Sequence, residues 1–266
     1  MDIGDEMDVS EAARAWRDCG IEPGDSLLLH SDSLRWSVMR RRAGQPWSPE
    51  ALLDSLLEAV GPEGTLLLPL FNFDFAAGRP FDIRSTPSHM GALTEAARRH
   101  PGAVRTGHPI YSFAALGARA GTLRGLDNFS GYGADSPFAV LRDWDGKVAA
   151  LDISDQACMT YHHHVEEMCE APWRYHKVFE GDYTDADGQT RRRRYGLYVR
   201  DLSARVETWV EPMGERLWAQ GLWQGCRPGQ GAGLRWVRAR ALFDEVAGVI
   251  RRGEARNLLY RIGEPA

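Results

Sequence analysis

The chain has 266 residues, 43% of them apolar and 26% charged, with a formal net charge of −5. This is the composition of one globular domain spanning residues 1–266; the negative balance argues against a nucleic-acid partner, and no apolar run approaches the ~20 residues of a membrane span. Four scattered cysteines without a C-x-x-C pair, and an acidic segment at residues 1–6 that does not suit a secretory signal, indicate reduced thiols in a cytoplasmic protein.

Residues 9–19 read as a helix, with Ser10 as N-cap and Ala12, Ala13 and Trp16 at helical spacing. A Pro-Gly turn at 23–24 leads into a short apolar run at 26–30, read as a buried strand that ends in the polar group His30, Ser31, Asp32 and Ser33. Ligands of α/β sheets favour such strand ends, and a loop with a capping serine is the plainer alternative. Ser48 and Pro49 open a helix through Val60, with Leu52, Leu53, Leu56 and Leu57 on its apolar face. A second buried strand follows at 65–70, so strand, helix and strand imply a crossover onto a parallel pair. Phe73 and Asp74 lie in an aromatic exit loop, a helix is expected at about 91–99, and a strand at 111–116.

Gly131 to Pro137 is a glycine-bearing turn before a helix at 138–142, and residues 147–153 form a further buried strand. Backbone amides at such a helix start suit a phosphate or carbonyl oxygen, although neither standard phosphate-loop motif is matched. Asp185-Ala186-Asp187-Gly188 is a hairpin turn between strands at 179–184 and 191–200, which makes Arg191 to Arg194 a solvated strand in the plainer reading. Residues 203–219 look helical, with Pro212 and Gly214 threatening a break; 225–233 is a loop, and 239–252 an amphipathic helix.

The densest chemistry is Thr160-Tyr161-His162-His163-His164-Val165-Glu166-Glu167. In a helix capped by Thr160, Glu166 lies three residues after His163 and four after His162, on the same face. A carboxylate beside an imidazole fixes its tautomer and supports the charge formed on protonation, as a general base requires. Spacing leaves a choice among His162, His163 and His164, leaning to His163. A zinc site drawing on Cys158, Cys169 and these histidines is weaker, because those cysteines lack paired-ligand spacing and no H-E-x-x-H occurs.

Ordered pieces of the chain resemble the aminoglycoside 3-N-acetyltransferase family, the antibiotic N-acetyltransferases outside the GNAT fold. They are Gly24-Asp25 with Leu29-His30-Ser31; Val60-Gly61-Pro62-Glu63-Gly64-Thr65 and Pro69; Phe81-Asp82 with Thr86-Pro87 and Met90-Gly91; Gly102-Ala103-Val104-Arg105 with His108-Pro109 and Ser112-Phe113; Gly133 with Ser136-Pro137; and the Thr160 to Glu166 stretch. Together they cover residues 20–180, followed by a hairpin and helical portion at 181–266.

The resemblance implies an α/β fold with a mixed central β-sheet flanked by helices, acetyl-CoA (coenzyme A) or another acyl-CoA as donor, and a primary amine as acceptor. It implies His163 as base, Glu166 as its orienting partner, and Thr160 at the thioester carbonyl or its oxyanion. His30, Ser31, Asp32, Ser33 and Leu34, with Gly133, Ser136, Pro137 and Val140, would hold pantetheine and pyrophosphate; His108 and Ser112 would line the cleft. Phe73, Asp74, Arg174 and Lys177 are the candidate acceptor contacts. The segment Pro172-Trp173-Arg174-Tyr175-His176-Lys177 resembles biosynthetic relatives, and cations near the cleft would attract an anionic acceptor such as a nucleotide-linked amino sugar. A zinc-dependent hydrolase and an inert coenzyme A- or sugar-binding protein are the rival classes. A homodimer is left open.

Overall fold

The computed structural model describes residues 9–42, 44 and 47–264; the acidic segment at 1–6 lies outside them. The N-terminal half runs α1 (Val9–Asp18), β1 (Ser26–Ser31), α2 (Leu34–Arg42), α3 (Pro49–Val60), β2 (Thr65–Pro69), β3 (Phe81–Asp82), α4 (Ala92–Arg99), β4 (Val104–Arg105) and β5 (Phe113–Gly117). The C-terminal half runs α5 (Pro137–Asp143), β6 (Lys147–Leu151), α6 (Asp155–Cys158), α7 (Tyr161–Met168), β7 (Arg174–Thr184), β8 (Thr190–Arg200), β9 (Val206–Thr208), α8 (Glu211–Ala219), β10 (Gln224–Gly225), β11 (Leu234–Arg238), α9 (Ala239–Arg251) and β12 (Tyr260–Ile262).

Seven strands form the central sheet in the order β10-β11-β6-β1-β2-β5-β4. Its middle is the parallel trio β6, β1 and β2. Antiparallel β11 and β5 flank the trio, so the sheet is mixed as expected. The all-apolar runs make this possible, because a central strand must bury both faces. Alternate residues then supply two cores. Leu27, Leu29, Leu66 and Leu68 pack under α1, α3 and α4. Leu28, Leu67, Val148 and Ala150 share the opposite core with α5, α7 and α9. The long hairpin β7–β8 and β3 make a second sheet, in which Arg174 pairs with Arg200 at the base and Thr184 with Thr190 at the tip.

Several sequence expectations need correction. Ser10 lies inside α1 and donates to Glu58 at 3.2 Å instead of capping. The polar loop after His30 passes at once into α2, whose sequence has no continuous apolar stripe to announce it. The helix expected over 203–219 is a turn, the short strand β9, and then α8. Pro212 does not break α8, because it sits in the first turn, where its missing N–H costs nothing. Strand β11 was hidden by its charges. Arg235 is fully buried there, donating to the Ile153 carbonyl at 2.7 Å and paired with Asp155 at 3.3 Å. Ser48 caps α3 with Pro49 following, and the hairpin turns at 185–188, both as read from the sequence.

Candidate active site

The site gathers at the C-terminal ends of the parallel strands. Strand β6 ends at Leu151, α6 bridges the gap, and α7 begins at Tyr161. Thr160 occupies the N-cap position of α7, as read from the sequence, but its backbone is already helical, at φ −59° and ψ −25°, and its side chain makes no capping bond. The start of α7 is fixed tertiarily instead, by the Tyr161 hydroxyl donating to the Ala239 carbonyl at 3.0 Å.

Helical rotation sends the three histidines to three environments. The His164 Nδ1 lies 2.7 Å from the Tyr132 carbonyl oxygen, and the ring stacks on Phe138; burial first of all pushes its pKa down to about 4. His162 is wholly buried with neither ring nitrogen bonded, and burial holds it neutral with a pKa of about 3. His163 turns outward, its side chain 18% exposed and its ring on the wall of a cavity of about 320 Å³. The three rings therefore diverge, and among the described residues no three His, Cys, Asp or Glu side chains converge on a common point. Cys158 is no better placed as a nucleophile, since burial pushes its thiol up to about 12.

Nδ1 of His163 lies 2.8 Å from Oε2 of Glu166. The same carboxylate oxygen is 2.7 Å from Nε of Arg174, and the other oxygen accepts from the Trp173 indole at 2.8 Å. Burial alone would raise the Glu166 pKa; the Arg174 guanidinium, then His163 and Trp173, outweigh it and hold the carboxyl at about 2. Glu166 is thus a buried anion at every ordinary pH. Arg174 also places Nη2 2.8 Å from His163 Nδ1 and donates from Nη1 to the Tyr198 carbonyl. His163 is pulled below the usual histidine range by burial, then by Arg174, against the opposing pull of Glu166, with Arg200 adding to the lowering. Its Nε2 has no hydrogen-bond partner among the described residues. The arrangement is an imidazole whose Nδ1 lies between a carboxylate and a guanidinium and whose ring lines a cavity.

Tyr132 and Tyr111 form the adjoining wall. Tyr132 meets the His163 ring edge-on at 5.3 Å, Tyr111 meets Tyr132 at 4.7 Å, and Phe71 and His30 continue the series at 4.5 and 5.9 Å. Three aromatic rings thus lie between His30 and His163 along this series. It is buried, Nε2 unbonded, with burial lowering its pKa to about 4. Ser31 is half-buried at the end of β1, and Asp32 accepts from the Leu34 backbone N–H at 2.9 Å to start α2. Asp32 and the exposed Leu34 line a separate depression of about 600 Å³ with Arg35 and Arg42, while Ser33 bonds Ser37 through its backbone. Ser136 caps α5, accepting from the Ala139 N–H, with Gly133 and Pro137 buried beside it and Val140 half-buried.

His108 and Ser112 do not open into the cavity. The His108 Nδ1 accepts from the backbone of Ile110 and Tyr111 and its Nε2 faces the Gly196 carbonyl, so the ring fastens a turn to β8. Ser112 is fully buried between Arg105 and the Leu70 carbonyl. Phe73 is exposed on the far side of Tyr111, and Asp74 pairs with Arg79. Lys177 does line the cavity; Arg174 lines it while its guanidinium is spent on Glu166. Sequence reasoning passed over Trp173, Tyr132, Tyr111 and Arg200. Trp173 and Arg174 follow Glu166 by seven and eight residues, but α7 ends at Met168, so they reach it from the chain beyond the helix and not along its face.

A mixed sheet under helices, with a histidine–carboxylate pair at the strand ends, defines an α/β protein. The chain belongs to the aminoglycoside 3-N-acetyltransferase family, whose model matches residues 29–251. It is 32% identical over 199 residues to aminoglycoside N(3)-acetyltransferase VII of Streptomyces paromomycinus, a match covering 66% of this chain and 65% of the relative. The chain thus aligns with just under two thirds of that relative's length. Its fold resembles aminoglycoside acetyltransferase AAC(3)-Xa with a TM-score of 0.75 at 27% identity, over 93% of this chain and 92% of the other. It also resembles AAC-IIIb, solved as a binary complex with CoASH, with a TM-score of 0.74 at 24% identity over 97% and 98%.

Proposed function

We propose that the protein is an N-acetyltransferase, moving an acetyl group from acetyl-CoA to a primary amine of an amino sugar. The observation that carries this reading is His163, with Nδ1 on the buried Glu166 carboxylate and Nε2 open to the cavity. Family membership and the relatives' names supply the reaction class. Nothing in the reading needs a metal or a covalent acyl-enzyme. No helix among the described residues is long and apolar enough to cross a membrane.

In this mechanism the His163 proton sits on Nδ1 toward Glu166, which requires the Arg174 Nη2 donor at 2.8 Å from the same nitrogen to give way, leaving the Nε2 lone pair for the acceptor. The acceptor attacks as the free amine, since an ammonium has no lone pair. As the C–N bond forms, its nitrogen becomes cationic and acidic, and His163 Nε2 takes that proton. The C–S bond then breaks, and the proton passes from His163 to the departing thiolate. The resulting imidazolium is stabilised by Glu166, which stays ionised throughout. Thr160, one helical turn before His163, is the hydroxyl assigned to the developing oxyanion. The donor is assigned to His30 to Leu34 and the start of α5; beside Leu34, Arg42 lines a depression in which Arg35 is paired with Asp152 at 2.8 Å.

The experiment is thiol release from acetyl-CoA in the presence of amino-sugar acceptors, with wild type and His163→Ala. Turnover should fall by about 10²–10⁴ in the variant, the range for losing a general base, while coenzyme A binding persists. Full turnover by His163→Ala would refute the mechanism.

A further inference from the structure

The cavity in front of His163 is charged on one side only. Lys177 of β7 and Arg200 at the end of β8 both line it, and both are exposed. Neither has a carboxylate partner among the described residues; the Lys177 ammonium rests 5.3 Å from the Phe179 ring centroid. None of the cavity's lining residues is Asp or Glu. The nearby carboxylate of Glu166 is buried and already shared among Arg174, His163 and Trp173.

The rest of the hairpin carries a mixed set of charges. Arg192 pairs with Glu180 at 2.8 Å and Arg193 with Asp127 at 2.6 Å, while Arg191 and Arg194 stand exposed without a carboxylate partner among the described residues. That arginine run lies outside the His163 cavity and is not the source of its charge. At the base, beside the His163 imidazole, Lys177 and Arg200 are the uncompensated cations that line the cavity itself. Arg200 is close enough for its charge to act on the His163 ring. Tyr175 and Leu202 complete the wall, 47% and 67% exposed, an apolar and aromatic rim suited to the face of a sugar. A polycationic acceptor would meet two free cations and no carboxylate here; an anionic one would meet complementary charge.

We infer that the acceptor is an amino sugar carrying a phosphate, held by Lys177 and Arg200 with its amine directed at His163. This rests on the N-acyltransfer reading above and narrows its substrate. The phosphate is either a sugar monophosphate or the diphosphate of a nucleotide-linked sugar.

The test compares glucosamine, glucosamine-6-phosphate, UDP-glucosamine and tobramycin as acceptors, with wild type, Lys177→Glu and Arg200→Glu. A phosphorylated acceptor should exceed glucosamine and tobramycin in kcat/KM by about tenfold or more, and each charge reversal should remove about tenfold of that advantage, through KM for the acceptor. Preference between the two phosphorylated sugars tells monophosphate from nucleotide. Tobramycin as the best acceptor overturns the inference and leaves acyl transfer standing. So does a charge reversal that raises KM for acetyl-CoA instead, which would assign the cations to the donor. If no acceptor turns over, the transfer reading fails, and calorimetry in the presence of coenzyme A decides the charge question. Binding of a phosphorylated sugar lost in Arg200→Glu supports a phosphate site; tighter binding of tobramycin overturns it.

Discussion

Replacing Glu166 by Gln tests the centre of the site through both stability and rate. The substitution keeps the shape and an oxygen for the Trp173 indole, but removes the charge that balances Arg174. Glu166 falls from its ordinary 4.5 to about 2 in the folded protein. At 1.36 kcal/mol per unit, that shift corresponds to about 3 kcal/mol of stability. The same scale, roughly 3–5 kcal/mol, is expected for stripping one partner from a buried ion pair. The sign follows from the depressed pKa. The contribution is fully present above about pH 4.5 and is lost as pH falls from there toward 2. Urea unfolding of wild type and Glu166→Gln should therefore differ by about 3 kcal/mol at neutral pH, with the gap closing as the solution is acidified. The rate of acetyl transfer should drop by about 10²-fold or more, because the amide neither supports an imidazolium nor fixes the tautomer. A gap that stays constant between pH 6 and pH 3, or a variant within about 0.5 kcal/mol of wild type, would refute the account of Glu166 as a buried, paired anion.

Two further outcomes follow from the same geometry. Arg174→Met removes a charge that pushes His163 below its ordinary range, so the acidic limb of the kcat/KM profile should move to higher pH; a limb that does not move would detach Arg174 from His163. Gly117→Ala should cost roughly 2 kcal/mol or more in a urea titration, because φ is +109° and an added Cβ would run into the Gly64 carbonyl where β5 meets β2; a change below about 0.5 kcal/mol would show that this turn can relax.

The parallel trio was legible because its strands are uninterrupted apolar runs, and α3 because Ser48 and Pro49 signal its start. The His163–Glu166 pair was legible because i and i+3 meet on any helix. What stayed hidden depended on tertiary context. Arg235 reads as a surface residue until Asp155 and the Ile153 carbonyl close around it. The Arg174 side chain reads as a substrate contact until the turn after α7 folds it back onto Glu166. His108 sits in a polar, glycine-rich stretch that invites a binding role, yet its hydrogen bonds tie three backbone groups together. In each case the residue type was plain and its partner was not, because the partner came from a different element.

The hairpin separates two kinds of constraint within a few residues. Arg174, its first residue, is buried and locked to Glu166 of α7, whereas Tyr175 and Lys177 just beyond stand in the open. The His163 imidazole belongs to α7, rooted in the core by Tyr161 and Val165. Substitutions at Tyr175 and Lys177 can thus accumulate without disturbing the contacts among Arg174, Glu166 and His163. Such a layout lets a lineage exchange one acceptor for another by drift on a single exposed ribbon, while selection holds the chemistry constant beneath it.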